Sequence, residues 1–256
     1  MVLQETTKTN IKKQLILNKM AEFEIVKKPL NKDQYYPRGY DKTQIWLHHT
    51  AGTTAEGAMD WWNQTPDHVG TAYVIDRDGT IYECFNPESW AYHLGRIDDD
   101  NYSEKHGVGI EIVAAGQLYE RPDGKVLFYP LYPNKSAQKV IPENEVVRLK
   151  KKWRGHYLYH EYNDKQLLSL SWLVALLMER FNIPLQKDFK KMYEYDETDK
   201  VIKGKPGIYC HSTVRKDKTD MVPQPKFLKT FLGCLDSINK RNDKPKKSKG
   251  KKKIKS

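Results

Sequence analysis

Long apolar runs and a cysteine framework are both missing from this chain of 256 residues. No apolar stretch approaches the roughly 20 residues that a membrane-spanning helix needs. The apolar patch behind the first lysines, "LIL", is too short for the core of a signal peptide. The three cysteines, Cys84, Cys210 and Cys234, are odd in number and far apart, which argues against disulfides and fits a reducing compartment. We therefore expect a protein made in the cytoplasm without a signal peptide.

Excess positive charge is absent from most of the chain. The formal net charge is +11, but residues 239–256 contain ten Lys or Arg and one Asp, so the remainder is close to neutral, at about +2. We expect residues 237–256 to form a disordered, lysine-rich tail. Such a tail can bind nucleic acid, an anionic lipid surface or an anionic cell wall, and its charge alone does not choose among them.

The composition is that of a folded domain, since 38% of the residues are hydrophobic and 16 are Tyr. The predicted elements are a buried strand at 43–50, a helix from a Thr53–Glu56 capping box to Pro66, strands at 71–76 and 80–85 around an Asp78–Gly79 turn, a strand at 106–116, and a helix at 163–184 capped by Asn163 and Gln166. This order predicts an α/β fold with a central mixed β-sheet flanked by helices.

The same elements divide the chain into three parts. Residues 1–34 form an N-terminal extension, residues 35–236 form the folded domain, and residues 237–256 form the tail. Within the domain, the stretch 117–160 is an insertion for which the sequence indicates no function.

Polar side chains with the chemistry of metal ligands occur at two places in the sequence. His48 and His49 end a strand, where side chains alternate between faces, so only one of them can enter a given cleft. In "GIYCHSTVRKDKTD" (207–220), His211 follows Cys210, whose side chain the same alternation directs to the opposite face. Asp220 lies at the end of the polar loop that follows His211. Two imidazoles and a carboxylate can bind zinc and leave a fourth position open for water. A solvated loop is the alternative interpretation.

A family resemblance rests on five motifs in order: "IWLHHTAG", "AYVIDRDGTIYE", "WAYHLG", "GVGIEIV" and "CHSTVRKDKTD". In order and approximate spacing they resemble the zinc-dependent N-acetylmuramoyl-L-alanine amidases of the amidase type 2 family, which includes phage lysozyme-like amidases, recycling amidases and peptidoglycan recognition proteins. The resemblance covers roughly residues 43 to 230. Each motif is weak alone, but five in order are specific.

The resemblance implies a zinc hydrolase with an assigned set of residues. The metal ligands that it implies are His48, His211 and Asp220. Glu111 in "GIEI" matches the glutamate that some members use as general base, and Lys218 matches a lysine that stabilises the transition state. Asp217 is the fallback ligand, because the spacing from His211 to Asp220 is one residue shorter than in some relatives.

The resemblance implies that His93, in "YHLG", lines the substrate groove. The adjacent Tyr92 carries an aromatic ring that can stack on a sugar, so we expect it to bind substrate as well. Several relatives carry a catalytic tyrosine near the start of the strand before "DRDG". The matching position here is Thr71, with Tyr73 two residues on and so expected on the same face. This departure leaves Glu111 as the better candidate base.

These residues favour an enzyme that cleaves the amide between N-acetylmuramic acid and L-alanine in peptidoglycan. With no signal peptide and a basic tail, we expect a phage endolysin or a virion-associated lysin, made in the cytoplasm and acting on the wall after release. A cytoplasmic recycling amidase and a non-catalytic peptidoglycan-binding module are the alternatives. The tail could hold an anionic wall polymer or membrane surface; nucleic acid is less favoured, and a monomer is favoured.

Overall fold

A six-stranded mixed sheet forms the centre of the structure, a computed structural model that describes residues 23–95, 98, 100–128, 138–186, 189 and 201–242, with only the backbone of 236–242. Its strands are β1 (Ile25–Lys27), β2 (Gln44–His49), β3 (Tyr73–Ile75), β4 (Ile81–Glu83), β5 (Gly107–Ile112) and β11 (Gly207–Cys210). They lie in the order β1-β4-β3-β5-β2-β11, and only the β3–β4 pair is antiparallel. The predicted α/β fold with a central mixed sheet is confirmed.

The helices of the described chain are α1 (Ala55–Gln64), α2 (Tyr102–Lys105), α3 (Asp164–Phe181), α4 (His211–Val214) and α5 (Pro225–Asn242). Helix α3 begins at the predicted capping box of Asn163 and Gln166. It ends before Asn182, its C-cap, which adopts the left-handed conformation that stops a helix. Four of its leucines pack into the main core together with Phe227 and Phe231 of α5: Leu167, Leu170, Leu173 and Leu177. No described helix has both the length and the apolarity needed to cross a membrane.

The cap of α1 differs from the prediction. The N-cap is Thr54, whose Oγ1 accepts a hydrogen bond from the backbone N–H of Gly57 at 3.1 Å. Thr53 instead accepts a hydrogen bond from Lys139. The predicted Thr53–Glu56 capping box is therefore wrong by one residue, because two adjacent threonines offer the same capping chemistry and only the backbone conformation selects between them.

The predicted boundaries at the two ends do not coincide with the ends of the regular structure. β1 lies within the predicted extension 1–34 and pairs with β4 as an edge strand. At the other end α5 continues to Asn242, six residues into the predicted tail. Residues 1–22 and 243–256, which carry the rest of both predictions, lie outside the described residues.

The described parts of the insertion, residues 117–128 and 138–160, form two small units. A three-stranded antiparallel sheet contains β6 (Tyr119–Glu120), β7 (Val126–Phe128) and β8 (Lys139–Val140), and a hairpin contains β9 (Val146–Trp153) and β10 (His156–His160). The three-stranded sheet has an apolar cluster of its own, whereas Leu149 and Trp153 of the hairpin pack against the main core.

Candidate metal centre

Three side chains converge at the carboxyl ends of two neighbouring strands. His48 is the second-last residue of β2, and His211 directly follows β11, which pairs with β2 in parallel. Parallel strands place their carboxyl ends at one edge of a sheet, so the two histidines meet there. Asp220 returns to the same point after a loop, and all three residues are buried.

The three candidate ligand atoms form a nearly equilateral triangle. Nδ1 of His48 lies 3.2 Å from Nδ1 of His211 and 3.1 Å from Oδ2 of Asp220, and Nδ1 of His211 lies 3.3 Å from the same oxygen. Ligands at about 2.0–2.1 Å from a tetrahedral zinc ion are about 3.3 Å apart, so the triangle has the size that zinc requires. Two imidazoles and a carboxylate are also ligand types that zinc accepts.

Hydrogen bonding alone explains this triangle poorly. Nε2 of His211 lies 3.2 Å from the carbonyl oxygen of Leu94, so a neutral His211 donates its hydrogen there and keeps a lone pair on Nδ1. That lone pair faces the carboxylate of Asp220, and two acceptors in contact repel each other. A cation between them removes the conflict.

The protonation states of the cluster also suit a metal. Burial lowers the pKa of His48 to about 4, although its hydrogen bond to Asp220 acts in the opposite direction. Burial opposes the ionisation of Asp220, but the neighbouring imidazoles of His211 and His48 outweigh it and hold the pKa of Asp220 well below its usual range. At neutral pH the cluster therefore presents a neutral imidazole and a carboxylate, the forms that bind metals.

Glu111 lies beside the cluster on the same face of the sheet. It pairs with His48 across β5 and β2, and registered neighbours on parallel strands share a face. Burial and the Asp220 carboxylate raise its pKa well above the usual range, while Lys218 acts in the opposite direction. Its Oε2 has no hydrogen-bond partner within the described residues. The structure thus brings Glu111 to the cluster with a buried carboxylate oxygen that no described residue hydrogen-bonds.

The loop before Asp220 separates the two aspartates that the sequence offered as ligands. Asp217 is exposed and its carboxylate binds the guanidinium of Arg215, so it is not part of the cluster. Lys218 is half-buried, and its charge partly offsets the rise in the pKa of Glu111 that burial and Asp220 cause. The structure therefore places Lys218 near the cluster and the fallback ligand outside it.

His49 points away from the cluster, as alternation along β2 requires. Its Nδ1 lies 2.8 Å from the hydroxyl of Tyr162, and its Nε2 lies 3.2 Å from Oγ1 of Thr219. Cys210 pairs with Leu47 on the face opposite His48 and is part of the apolar core.

The predicted groove residues separate into two groups. Tyr73 pairs with Ile110 and therefore lies on the face opposite Glu111; its hydroxyl donates to Glu83 at 3.4 Å. The expectation that Thr71 and Tyr73 share a face is wrong, because β3 begins only at Tyr73, after a bend at residue 72. Thr71 is buried on the cluster side, where its methyl group and the ring of His93 cover Gly109 closely enough that a Cβ there would meet both.

His93 and Tyr92 occupy different surroundings. The side chain of His93 is only 5% exposed, and its ring contacts that of His48, one of the three candidate metal ligands. Glu104, which no sequence pattern singled out, accepts hydrogen bonds from the backbone N–H groups of His93 and Leu94. Tyr92 is half-buried in an aromatic cluster with Tyr36 and Trp90, and its role in substrate binding stays a prediction.

Comparison with solved structures gives several similar chains. A mutant endolysin from Bacillus subtilis is 17% identical, with a TM-score of 0.45 over 84% of this chain and 99% of that one. The amidase LysC from Clostridium intestinale URNW is 15% identical, with a TM-score of 0.40 over 84% of this chain and 97% of that one. The Ph2119 endolysin from the Thermus scotoductus MAT2119 bacteriophage is 15% identical, with a TM-score of 0.42 over 81% and 99%.

The sequence itself matches a family model. No match was found among curated proteins. The model described as N-acetylmuramoyl-L-alanine amidase matches residues 38–225, which is most of the chain and includes His48, Glu111, His211 and Asp220. The chain therefore belongs to the N-acetylmuramoyl-L-alanine amidase family.

Proposed function

We propose that this peptidoglycan amidase is zinc dependent, with the ion held by His48, His211 and Asp220, and that it cleaves the amide between N-acetylmuramic acid and L-alanine. The observation that carries the proposal is the triangle of two imidazole nitrogens and one carboxylate oxygen with sides of 3.1–3.3 Å. A bound zinc ion supplies Lewis acidity, which makes water a nucleophile near neutral pH and polarises an amide carbonyl.

The remaining chemistry falls to Glu111 and Lys218. A base must take a proton from the attacking water and return it to the leaving nitrogen, and a carboxylate with a raised pKa does both. The ammonium of Lys218 carries the charge that the developing oxyanion needs, a stabilisation of about 3–4 kcal/mol in comparable sites. Both roles are supported by position beside the cluster and by the family resemblance.

Metal content of purified variants tests the ligand set. We expect about one zinc per chain in the wild type by mass spectrometry. His48→Ala and His211→Ala should lose the zinc and the amidase activity, and a chelator should inactivate the wild type. His49→Ala is the matched control, because His49 is the adjacent residue on the opposite face, and it should keep the metal. Zinc retained in His48→Ala and lost in His49→Ala would contradict the proposal.

We propose further that the enzyme acts on intact cell walls as a phage lysin. The feature that supports this is the basic end of the sequence, which adds charge suited to an anionic wall and has no evident use on small soluble fragments. Purified walls and a soluble muropeptide separate the candidates. A lysin should clear walls, whereas a recycling amidase should cleave only the soluble fragment, and a non-catalytic binding module should cleave neither.

A further inference from the structure

We propose that the β9–β10 hairpin of the insertion is a clamp that positions the two metal ligands of the polar loop, with Trp153 and Arg154 as its positioning residues. Trp153 Nε1 donates to the carbonyl oxygen of Thr219 at 2.8 Å, and Arg154 Nη2 donates to the carbonyl oxygen of Ser212 at 3.0 Å. Thr219 directly precedes Asp220, and Ser212 directly follows His211. Each donor therefore holds the residue next to a candidate ligand. The inference rests on the zinc site proposed above.

The loop itself links the two held points. The backbone N–H of Ser212 donates to the carbonyl oxygen of Asp220 at 2.7 Å, so the residues that the hairpin contacts are also bonded to each other. Between them the loop runs through Asp217, which is exposed and whose carboxylate binds the neighbouring Arg215. The ends of the loop are thus held by the hairpin, by this backbone bond and by the contact between Thr219 and His49.

The tight turn of the hairpin positions the two donors, Trp153 and Arg154. Trp153 pairs with His156, and the two residues between them, Arg154 and Gly155, have φ values of 45° and 90°. Two positive φ values are the mark of a type I′ turn, which joins strands tightly. The guanidinium of Arg154 lies 4.8 Å from the ring centre of Trp153, so the two positioning residues are held as a unit.

The base of the hairpin is anchored to the rest of the domain. Nε2 of His160 lies 2.9 Å from Glu145, which also binds Arg77 near the β3–β4 turn. Gln224, just beyond the loop, donates from Nε2 to the carbonyl oxygen of His160 and accepts at Oε1 from the N–H of Tyr162. The hairpin can therefore transmit the rigidity of the domain to the loop.

Positioning of this kind has a measurable consequence for metal binding. Ligands already arranged for the ion bind it more tightly, because less conformational freedom is lost on binding. Loss of outer contacts to metal ligands typically weakens metal affinity about 10–100-fold. We expect an effect near the lower end of that range for loss of one hairpin donor, since the loop keeps the other.

Two substitutions remove the donors while preserving the hairpin. Trp153→Phe keeps an aromatic ring but has no N–H. Arg154→Asn removes the guanidinium, and Asn before Gly is a favoured sequence for a type I′ turn. Lys151→Gln is the matched control, since Lys151 is an exposed residue on the same strand.

The experiment combines zinc affinity with hydrogen exchange. Both donor variants should raise the zinc dissociation constant about tenfold, measured by chelator competition at a temperature where the metal-free proteins are fully folded. In the metal-free proteins, amide exchange in residues 211–220 should be faster than in the wild type, and Lys151→Gln should match the wild type in both measurements. Unchanged zinc affinity in both donor variants would overturn the clamp, whatever the exchange result. A wild type that binds no zinc would instead overturn the proposed zinc site.

Discussion

His48 and His93 contact each other ring to ring, with Nε2 of His48 3.0 Å from Nδ1 of His93 and the two rings edge to face. Nδ1 of His48 belongs to the ligand triangle, so the hydrogen of a metal-binding His48 resides on Nε2 and is donated to His93. Nε2 of His93 lies 3.4 Å from the buried carboxylate of Glu104 but makes no hydrogen bond within the described residues. The hydrogen-bond chain from His48 therefore ends at His93, and an acceptor in this position orients a ligand and fixes its tautomer.

The first prediction follows from this chain. His93→Phe removes the acceptor for the hydrogen of His48 and should weaken zinc binding about 10–100-fold. His93→Asn keeps an acceptor oxygen near the position of Nδ1 and should lose less affinity. The measurement is zinc affinity by chelator competition, beside kcat and KM on a soluble muropeptide. A change in KM with wild-type zinc affinity would mean that His93 only lines the groove.

The second prediction concerns the base. Glu111→Gln removes the proton acceptor but preserves the shape of the side chain, so turnover should fall by a factor on the order of 10² or more. Zinc content should be unchanged, because Glu111 is not one of the three triangle residues. Steady-state kinetics and metal analysis of the same preparation provide the check. Near-wild-type turnover would assign the base role to another residue.

The residues that the sequence could predict are those governed by local rules. Alternation along β2 separates His48 from His49, and alternation along β11 directs Cys210 to the face opposite the cluster. The same rule failed for Tyr73, because alternation applies only within a strand and β3 begins after Thr71.

The residues that the sequence could not predict act through tertiary contacts. Glu104 reaches His93 from a short helix, and Trp153 reaches Thr219 over 66 positions of sequence. Neither contact follows from any periodicity, since the first depends on how α2 packs against the chain at residues 93–94 and the second on how the insertion packs against the domain. In the sequence, Trp153 is one tryptophan at the end of a lysine-rich strand, which is ordinary for a hairpin. Only the structure shows which residue its indole N–H contacts.

The third prediction uses the buried Lys42, which lies apart from the ligand triangle. Its Nζ donates to the carbonyl oxygens of Ser89 and Lys105, and burial lowers its pKa to about 7, against the opposing effect of Glu88. Because the folded-state pKa lies below the unfolded value, the unfolded chain binds more protons between the two. Lys42 therefore makes the free energy of unfolding rise with pH above about 7.

Lys42→Met removes this dependence and keeps the length of the side chain. Between about pH 7 and about pH 8.5 the contribution of Lys42 amounts to about 1.5 kcal/mol, so the wild type should gain that much stability relative to the variant. Urea unfolding of both proteins at the two pH values gives the difference and cancels the titration of other groups. Equal pH dependence in the two proteins would show that Lys42 titrates normally.

The fourth prediction concerns the basic end of the chain. Residues 243–256, beyond the end of α5, contain eight lysines and one aspartate. Attraction between these charges and an anionic wall acts over a Debye length of about 10 Å at 0.1 M salt and should concentrate the enzyme on its substrate. Deleting 243–256 should therefore reduce wall binding and lysis at low salt, and leave turnover of a small soluble muropeptide unchanged.

Charge-matched variants separate this effect from any other role of the segment. Replacing the eight lysines with arginine keeps the charge and should preserve lysis, whereas replacing them with glutamine should reproduce the deletion. Raising the salt concentration should abolish the difference among all forms on whole walls, because screening removes the attraction on which it depends. If the deletion variant lyses walls as well as the wild type at low ionic strength, the segment is not a wall anchor. Binding of nucleic acid or of a virion component would then explain its charge better.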